Sequence, residues 1–406
     1  MKVTASLLSL AVAVMVADAA TVAPHSGTAV PLSFNPNHQR NFRKTMAKLA
    51  ARYPQLGLHI PPKQVIVGAQ DKAGTGKVPL TDVGPDSEYY GSVSVGTPAQ
   101  VMRLDFDTGS ADIWFPSSTC TTAGCKVHHR FNSVKSTTFK KDGRPWKIGY
   151  GDGSNASGIL GSDIVSVGGI AVRQTIGLAT NESTQFASSP EDGLFGLGFS
   201  TIESVAGVKT FLDNAIAAKA IALPVVSVFL PSVRKNGGQG GNYLFGGIDN
   251  TRYTGALTYV PVTKKGYWQV LIQDAAFNGK SLQQTSQGII DTGTTLMIIG
   301  SAAAAAIHKQ IPGAVNSTQE GGWLVPCSLA KNTKDAVSFK MGGKSFQVPV
   351  ADLAWSPISN GSKTCFSGVQ GGQDGLWILG DVFIKNNYCV FSQTASPSIG
   401  IAPLKY

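Results

Sequence analysis

Three observations predict a mostly β protein. Only 14% of the 406 residues are charged while 42% are hydrophobic, enough to bury a large core. Gly (47) and Pro (21) are plentiful, and short runs rich in Val, Ile, Thr and Phe are bounded by Gly, Ser and Asn turns. The length fits two or three domain-sized units.

Met1-Lys2 precedes an apolar run from Leu7 to Val16, and Ala17-Asp18-Ala19 offers small residues for cleavage. Residues 1–19 therefore read as a secretory signal peptide. Residues 20–75 differ in character: Arg40, Arg43, Lys44, Lys48, Arg52, Lys63 and Lys72 stand against the single acid Asp71, mostly on a helix-like stretch over 39–53. By itself that is a solvated basic face or a linker. Strand signals follow at 89–95, 101–106, 259–263 and 288–290. Helical signals are few: Ser301 is placed to cap a run over 302–310 that stops at Pro312-Gly313, and 210–218 carries a weaker stripe through Phe211, Ala215 and Ala218. No later run is long enough for a membrane span, so no membrane association is expected.

The feature that carries function is a repeated tetrapeptide. Asp107-Thr108-Gly109-Ser110 and Asp291-Thr292-Gly293-Thr294 lie 184 positions apart, each after a hydrophobic strand. One Asp-Thr-Gly is an ordinary turn, but two copies can be brought face to face by an approximate two-fold axis. Two carboxylates that close do not both stay ionised, which yields an acid and a base at one site. Each copy is followed by an apolar-apolar-Gly segment, Leu194-Phe195-Gly196 and Ile378-Leu379-Gly380.

On these motifs the chain, from about residue 88 to its end, resembles the pepsin-like aspartic proteases. The resemblance implies a bilobal fold with a deep cleft, an N-terminal lobe over 76–255, a C-terminal lobe over 256–406, and a basic propeptide over 20–75 cut somewhere near 74–78. It implies that Asp107 and Asp291 activate a water without cofactor or metal. Thr108 and Thr292 then bond across to the opposite loop, and Ser110 and Thr294 bond the outer carboxylate oxygens. Gly109 and Gly293 permit close backbone approach. Residues 147–154 read as a hairpin tip, matching the family's flap, with Tyr150, Gly151 and Asp152 over the cleft and Tyr150 bonding Trp114. Asp105 shares a strand face with Asp107 and points to the cleft, either shaping a substrate pocket or bracing the backbone. Asp152 either stabilises the hairpin turn or, as the resemblance implies, admits Lys before the scissile bond beside large apolar residues, with Asp105 reinforcing the attraction.

Five cysteines imply disulfides plus one left over. Cys120–Cys125 and Cys327–Cys365 match the family's bridges, leaving Cys389 in an apolar context as a buried thiol. Asn155, Asn181, Asn316 and Asn360 head glycosylation sequons. Zinc is disfavoured because neither CxxC nor HExxH occurs, and Gly279-Lys280-Ser281 and Gly343-Lys344-Ser345 lack the earlier Gly of a phosphate loop. The formal charge of +10 belongs largely to the leader, since 26 Lys and Arg face 22 Asp and Glu from residue 76 onward. No basic run or nucleic-acid motif accompanies it, so no nucleic-acid partner is expected. The reading is a monomeric, pepstatin-sensitive endopeptidase acting on proteins and peptides, inhibited by its own propeptide and exported, with a vacuolar destination left open. A non-catalytic binding protein of the same fold is the rival; it would be expected to lose an Asp or the flap Tyr.

Overall fold

Strand Gln100–Asp107 buries its last four residues completely as it runs into the core, and its final residue is one of the twin aspartates. In the computed structural model, which describes residues 28–31, 41–58, 86, 89–149 and 154–406, this strand lies in a seven-stranded sheet. The expected signal peptide, the 74–78 region and the flap residues Tyr150, Gly151 and Asp152 lie outside the described residues.

The two halves repeat one topology. Gln100–Asp107 pairs parallel with Gly193–Gly196, which pairs antiparallel with Ile113–Pro116, which in turn pairs parallel with Ile170–Glu182. In the second half Ser286–Ile290 pairs parallel with Leu376–Leu379, which pairs antiparallel with Met297–Gly300, and that strand runs parallel to Val369–Gly372. The apolar-apolar-Gly segments are thus the partners of the Asp-bearing strands. Their glycines are required by proximity: a Cβ on Gly196 would sit 2.6 Å from Ala111 Cα, and one on Gly380 2.6 Å from Leu296 O.

A third, six-stranded sheet joins the halves, in the order Thr28–Pro31, Asn242–Phe245, Val225–Phe229, Asn387–Ser392, Ser398–Pro403, Thr258–Pro261. It combines strands from both sides of the 255/256 boundary with one from the leader. The fold is the mostly β, bilobal pepsin-like architecture. Under the cleft Phe106 stacks on Phe195 (4.8 Å) and Tyr243 (4.9 Å), whose hydroxyl donates to Phe106 O at 3.0 Å.

Helices are short. Phe211–Ala217 starts at Thr210, whose side chain accepts from Asp213 N while Asp213 caps Thr210 N in return, a capping box. The expected Ser301 cap is corrected: Gly300 is the N-cap, Ser301 opens helix Ser301–His308, and its hydroxyl donates to Gly372 O at 2.9 Å. The Gly372 carbonyl captures the hydroxyl that would have turned back on the helix. Cys120–Cys125 and Cys327–Cys365 are bridged, and Cys389 is a buried free thiol. Burial pushes the Cys389 thiol pKa far up, which keeps it protonated and inert. Asn155, Asn181, Asn316 and Asn360 are all exposed.

Candidate active site

Each Asp-Thr-Gly turn starts where its strand ends, so both carboxylates leave parallel-paired backbone at equivalent points. The turns then lock to each other. Thr108 N donates to Thr292 Oγ1 and Thr292 N to Thr108 Oγ1, both at 3.0 Å. The two hydroxyls pass on to the opposite strand: Thr108 Oγ1 donates to Ile290 O at 3.0 Å and Thr292 Oγ1 to Phe106 O at 2.7 Å. All four groups are buried and satisfied, and the cross-lobe geometry is fixed by backbone as much as by side chain.

Within this frame Ser110 Oγ donates to Asp107 Oδ2 at 2.5 Å and Thr294 Oγ1 to Asp291 Oδ2. Gly109 N donates to Asp107 Oδ1 at 2.8 Å and Gly293 N to Asp291 Oδ1 at 3.0 Å. The glycines face the opposite acid. A Cβ on Gly109 would lie 2.5 Å from Asp291 Oδ1, and one on Gly293 would collide with Asp107 Oδ1. Any larger residue would push the carboxylates apart.

The space before the pair is filled from the leader. Helix Phe42–Arg52 ends at Pro54, which lacks the N–H to continue it. There Arg52 Nη2 donates to Asp107 Oδ2 at 2.6 Å, and Nη1 reaches Asp107 Oδ1 (3.1 Å), Asp291 Oδ2 (3.3 Å) and Gly293 O (3.0 Å). Tyr53 OH donates to Asp291 Oδ2 at 2.9 Å and its ring meets Tyr267 at 5.4 Å. One turn earlier, Lys48 Nζ lies 3.7 Å from Asp105 Oδ2; Asp105 is 1% exposed and faces this side of the cleft. The sequence located the basic segment without singling out Arg52 or Tyr53. The signal that finds them is the apolar spacing Phe42, Met46, Leu49, Tyr53, all buried, which lays one face of the helix on the protein and carries Arg52 to its end.

Burial is the largest influence on both acids and favours their neutral forms. For Asp291 it is outweighed by the Arg52 charge and by hydrogen bonds from Thr294, Tyr53 and Gly293 N, which hold it below the ordinary carboxylate range. Asp107 stays above that range, because burial and the Asp291 charge together exceed the pull of Arg52 and Ser110. The two environments push the pair apart, the condition for one acid and one base. Tyr53 is held well above its ordinary pKa by burial and then by the Asp291 charge, so it remains a donor.

Such a pair, joined by reciprocal threonines on two repeated turns, is an aspartic protease arrangement. Residues 88–404 match the eukaryotic aspartyl protease family. The chain belongs to that family. It is 40% identical to rhizopuspepsin-2 of Rhizopus niveus over 98% of this chain and 99% of the relative, and 40% identical to syncephapepsin of Syncephalastrum racemosum over the whole of both. Rhizopuspepsin of Rhizopus chinensis is 40% identical over 92% of each. This aspartyl protease is accordingly a peptide hydrolase of the pepsin-like class.

Trp114 is 1% exposed and packs on Trp146 (ring centroids 5.7 Å) and Phe186 (5.2 Å). Its expected partner Tyr150 lies outside the described residues. Trp146, missed by sequence reasoning, donates Nε1 to Asp112 Oδ1 at 2.9 Å, and Asp112 Oδ2 accepts from Ser204 N and Oγ. These contacts hold the stem that leads to the expected flap residues: Lys140–Gly149 pairs with Asn155–Val167, with Gly149 opposite Asn155.

Proposed function

We propose that this chain is the precursor of a secreted aspartic endopeptidase whose catalytic pair is Asp107 and Asp291 and whose leader is an intramolecular inhibitor. The observation that carries it is Arg52, with Tyr53, seated on both carboxylates. In this reading residues 1–19 are the signal peptide, 20–75 the propeptide, and 76–255 and 256–406 the two catalytic lobes. The family's peptide hydrolysis then follows once the leader is gone. A water takes the place of the Arg52 guanidinium between the acids; the ionised acid accepts its proton as the oxygen attacks the scissile carbonyl, and the protonated acid donates to the carbonyl oxygen. The tetrahedral adduct then collapses, its C–N bond breaks and the leaving amine takes a proton from the pair, so no covalent acyl-enzyme forms. Threonine-locked turns keep the pair from spreading as charge shifts between them.

Release is acid-driven. The depressed Asp291 pKa means that its ionised form is stabilised by Arg52 and Tyr53 in the docked precursor. That stabilisation is present above the ordinary carboxylate pKa and is lost as pH falls through the depressed value. The raised Asp107 pKa works in the opposite sense, so the Arg52 grip on Asp291 is the acid-sensitive part. Exposure of Asn155, Asn181, Asn316 and Asn360 supports glycosylation during export. Asp105, once Lys48 leaves, favours a Lys side chain in the adjoining substrate pocket.

The test is to hold the full chain at neutral pH and at about pH 3, below the ordinary Asp pKa, with a denatured protein and with or without pepstatin. Cleavage after acid treatment, blocked by pepstatin, is expected, and an Arg52→Ala precursor should cleave without acid. A precursor as active before acid as after it would refute the plug; pepstatin-resistant cleavage would refute the pair.

A further inference from the structure

Phe42 begins the leader helix and sits in an aromatic pocket of the second lobe. Its ring stacks on Phe366 at 4.0 Å with planes 8° apart and meets Trp355 at 6.4 Å. Gly322 makes room: a Cβ there would lie 2.7 Å from Phe42 Cζ. The floor is rigid, since Gln370 holds both Trp323 N (2.7 Å) and Trp323 O (3.0 Å), and Phe366 follows the bridged Cys365. Phe42 is 4% exposed, Phe366 7% and Trp355 3%, so the walls owe part of their burial to the leader.

We propose that this pocket, emptied when the leader departs, is a remote substrate site that takes a large aromatic side chain several residues from the scissile bond. It rests on the endopeptidase reading above. Departure of the leader leaves the faces of Phe366 and Trp355 that Phe42 covers open to water, a cost recovered when a flat apolar ring enters. The same leader helix spans the pocket and the cleft, with Phe42 at one end and Arg52, on the catalytic pair, at the other. Ten helical steps separate their Cα atoms by about 15 Å, and an extended chain covers that in roughly four or five residues. Side-chain reach extends the range to roughly seven. Arg52 marks where the scissile bond lies, and Phe42 marks where a substrate ring lies.

The test uses the acid-processed enzyme and two substrates: a short peptide confined to the residues beside the cut, and long peptides with Phe or Ala at each position roughly four to seven residues away on either side. One position is expected at which Phe lowers KM about tenfold relative to Ala with kcat unchanged. Phe366→Leu should abolish that gain while the short peptide is cleaved as by wild type. Absence of any such position, or a gain that survives Phe366→Leu, overturns the proposal. Should Phe366→Leu not fold, a synthetic peptide of residues 41–58 and its Phe42→Ala analogue are compared on wild-type enzyme. About tenfold tighter binding of the former is expected, and equal binding overturns the proposal. If the short peptide is not cleaved by the wild type, the endopeptidase reading fails, while calorimetric binding of the two 41–58 peptides to the leader-free protein still decides the pocket.

Discussion

Thr292 shows how single atoms set the site. Its hydroxyl accepts from Thr108 N and donates to Phe106 O, so Thr292→Val leaves the buried Thr108 N without its acceptor and Phe106 O with the Tyr243 hydroxyl alone, at nearly constant volume. The expected loss is on the order of 1–3 kcal/mol in urea unfolding, with a lower kcat because the turns separate; an unchanged stability would show the reciprocal bonds to be incidental. Glu203 sets a pH limit. Burial, then the charges of Asp112 and Asp213, push its pKa up to about 9, and its Oε1 is buried without a partner among the described residues. An acid whose folded pKa is raised contributes fully below its ordinary value, and that contribution is lost as pH rises through the folded one. Between pH about 4.5 and about 9 the fold should therefore weaken with rising pH, and Glu203→Gln should flatten the profile. Denaturation curves that stay parallel for the two proteins across that window would remove Glu203 from the account.

Helix Phe42–Arg52 covers the aspartate pair, and its contacts are apolar as well as ionic. Leu49 is 2% exposed on the face that carries Phe42 and Met46. Leu49→Ala should weaken docking by about 2–5 kcal/mol, giving a precursor that cleaves peptide near neutral pH while the processed enzyme is unchanged. A precursor that keeps full latency would mean that Arg52 and Tyr53 suffice. Local elements were readable where the signal is local. The apolar stripe through Phe211 and Ala215 announces helix Phe211–Ala217, and the hydrophobic runs announce the Asp-bearing strands. Ser301 misled because its hydroxyl finds Gly372, 71 residues on. Arg52 stayed unidentified for a similar reason: its partners are 55 and 239 residues away, and seven leader cations were equivalent in sequence.

Across the molecule, the duplicated turn made the candidate pair legible, because a repeat constrains long-range geometry in a way that propensity does not, and the bilobal fold followed from the family resemblance that the turns carry. The six-stranded sheet was not legible. Its pairings, such as Cys389 with Val228 and Thr28 with Phe245, join segments with no local signature of each other. A buried ion network ties the same region together. Lys385 Nζ lies 2.8 Å from Asp86 and 3.6 Å from Asp352, and Arg234 pairs with Asp352 at 2.8 Å. Burial alone would raise the Asp352 pKa, but Lys385 and Arg234 bring it down to about 2. Its contribution is thus present above the ordinary carboxylate pKa and lost only as pH falls towards about 2. Lys385→Met strands Asp86 and should cost about 3–5 kcal/mol; a variant as stable as wild type in urea would show that the network contributes nothing.

Asp107 and Asp291 are proposed to act as one chemical unit. The most direct measurement is kcat for a peptide substrate with acid-processed wild type and with Asp107→Asn, processed in trans by wild-type enzyme that is then removed. At near-equal volume the one remaining carbonyl oxygen still accepts from Gly109 N, while the amide N–H donates to Ser110 Oγ instead of accepting from it, and the acid–base function is lost. A fall of about 10³-fold or more is expected, with circular dichroism still reporting a folded protein. Turnover within about tenfold of wild type would contradict it.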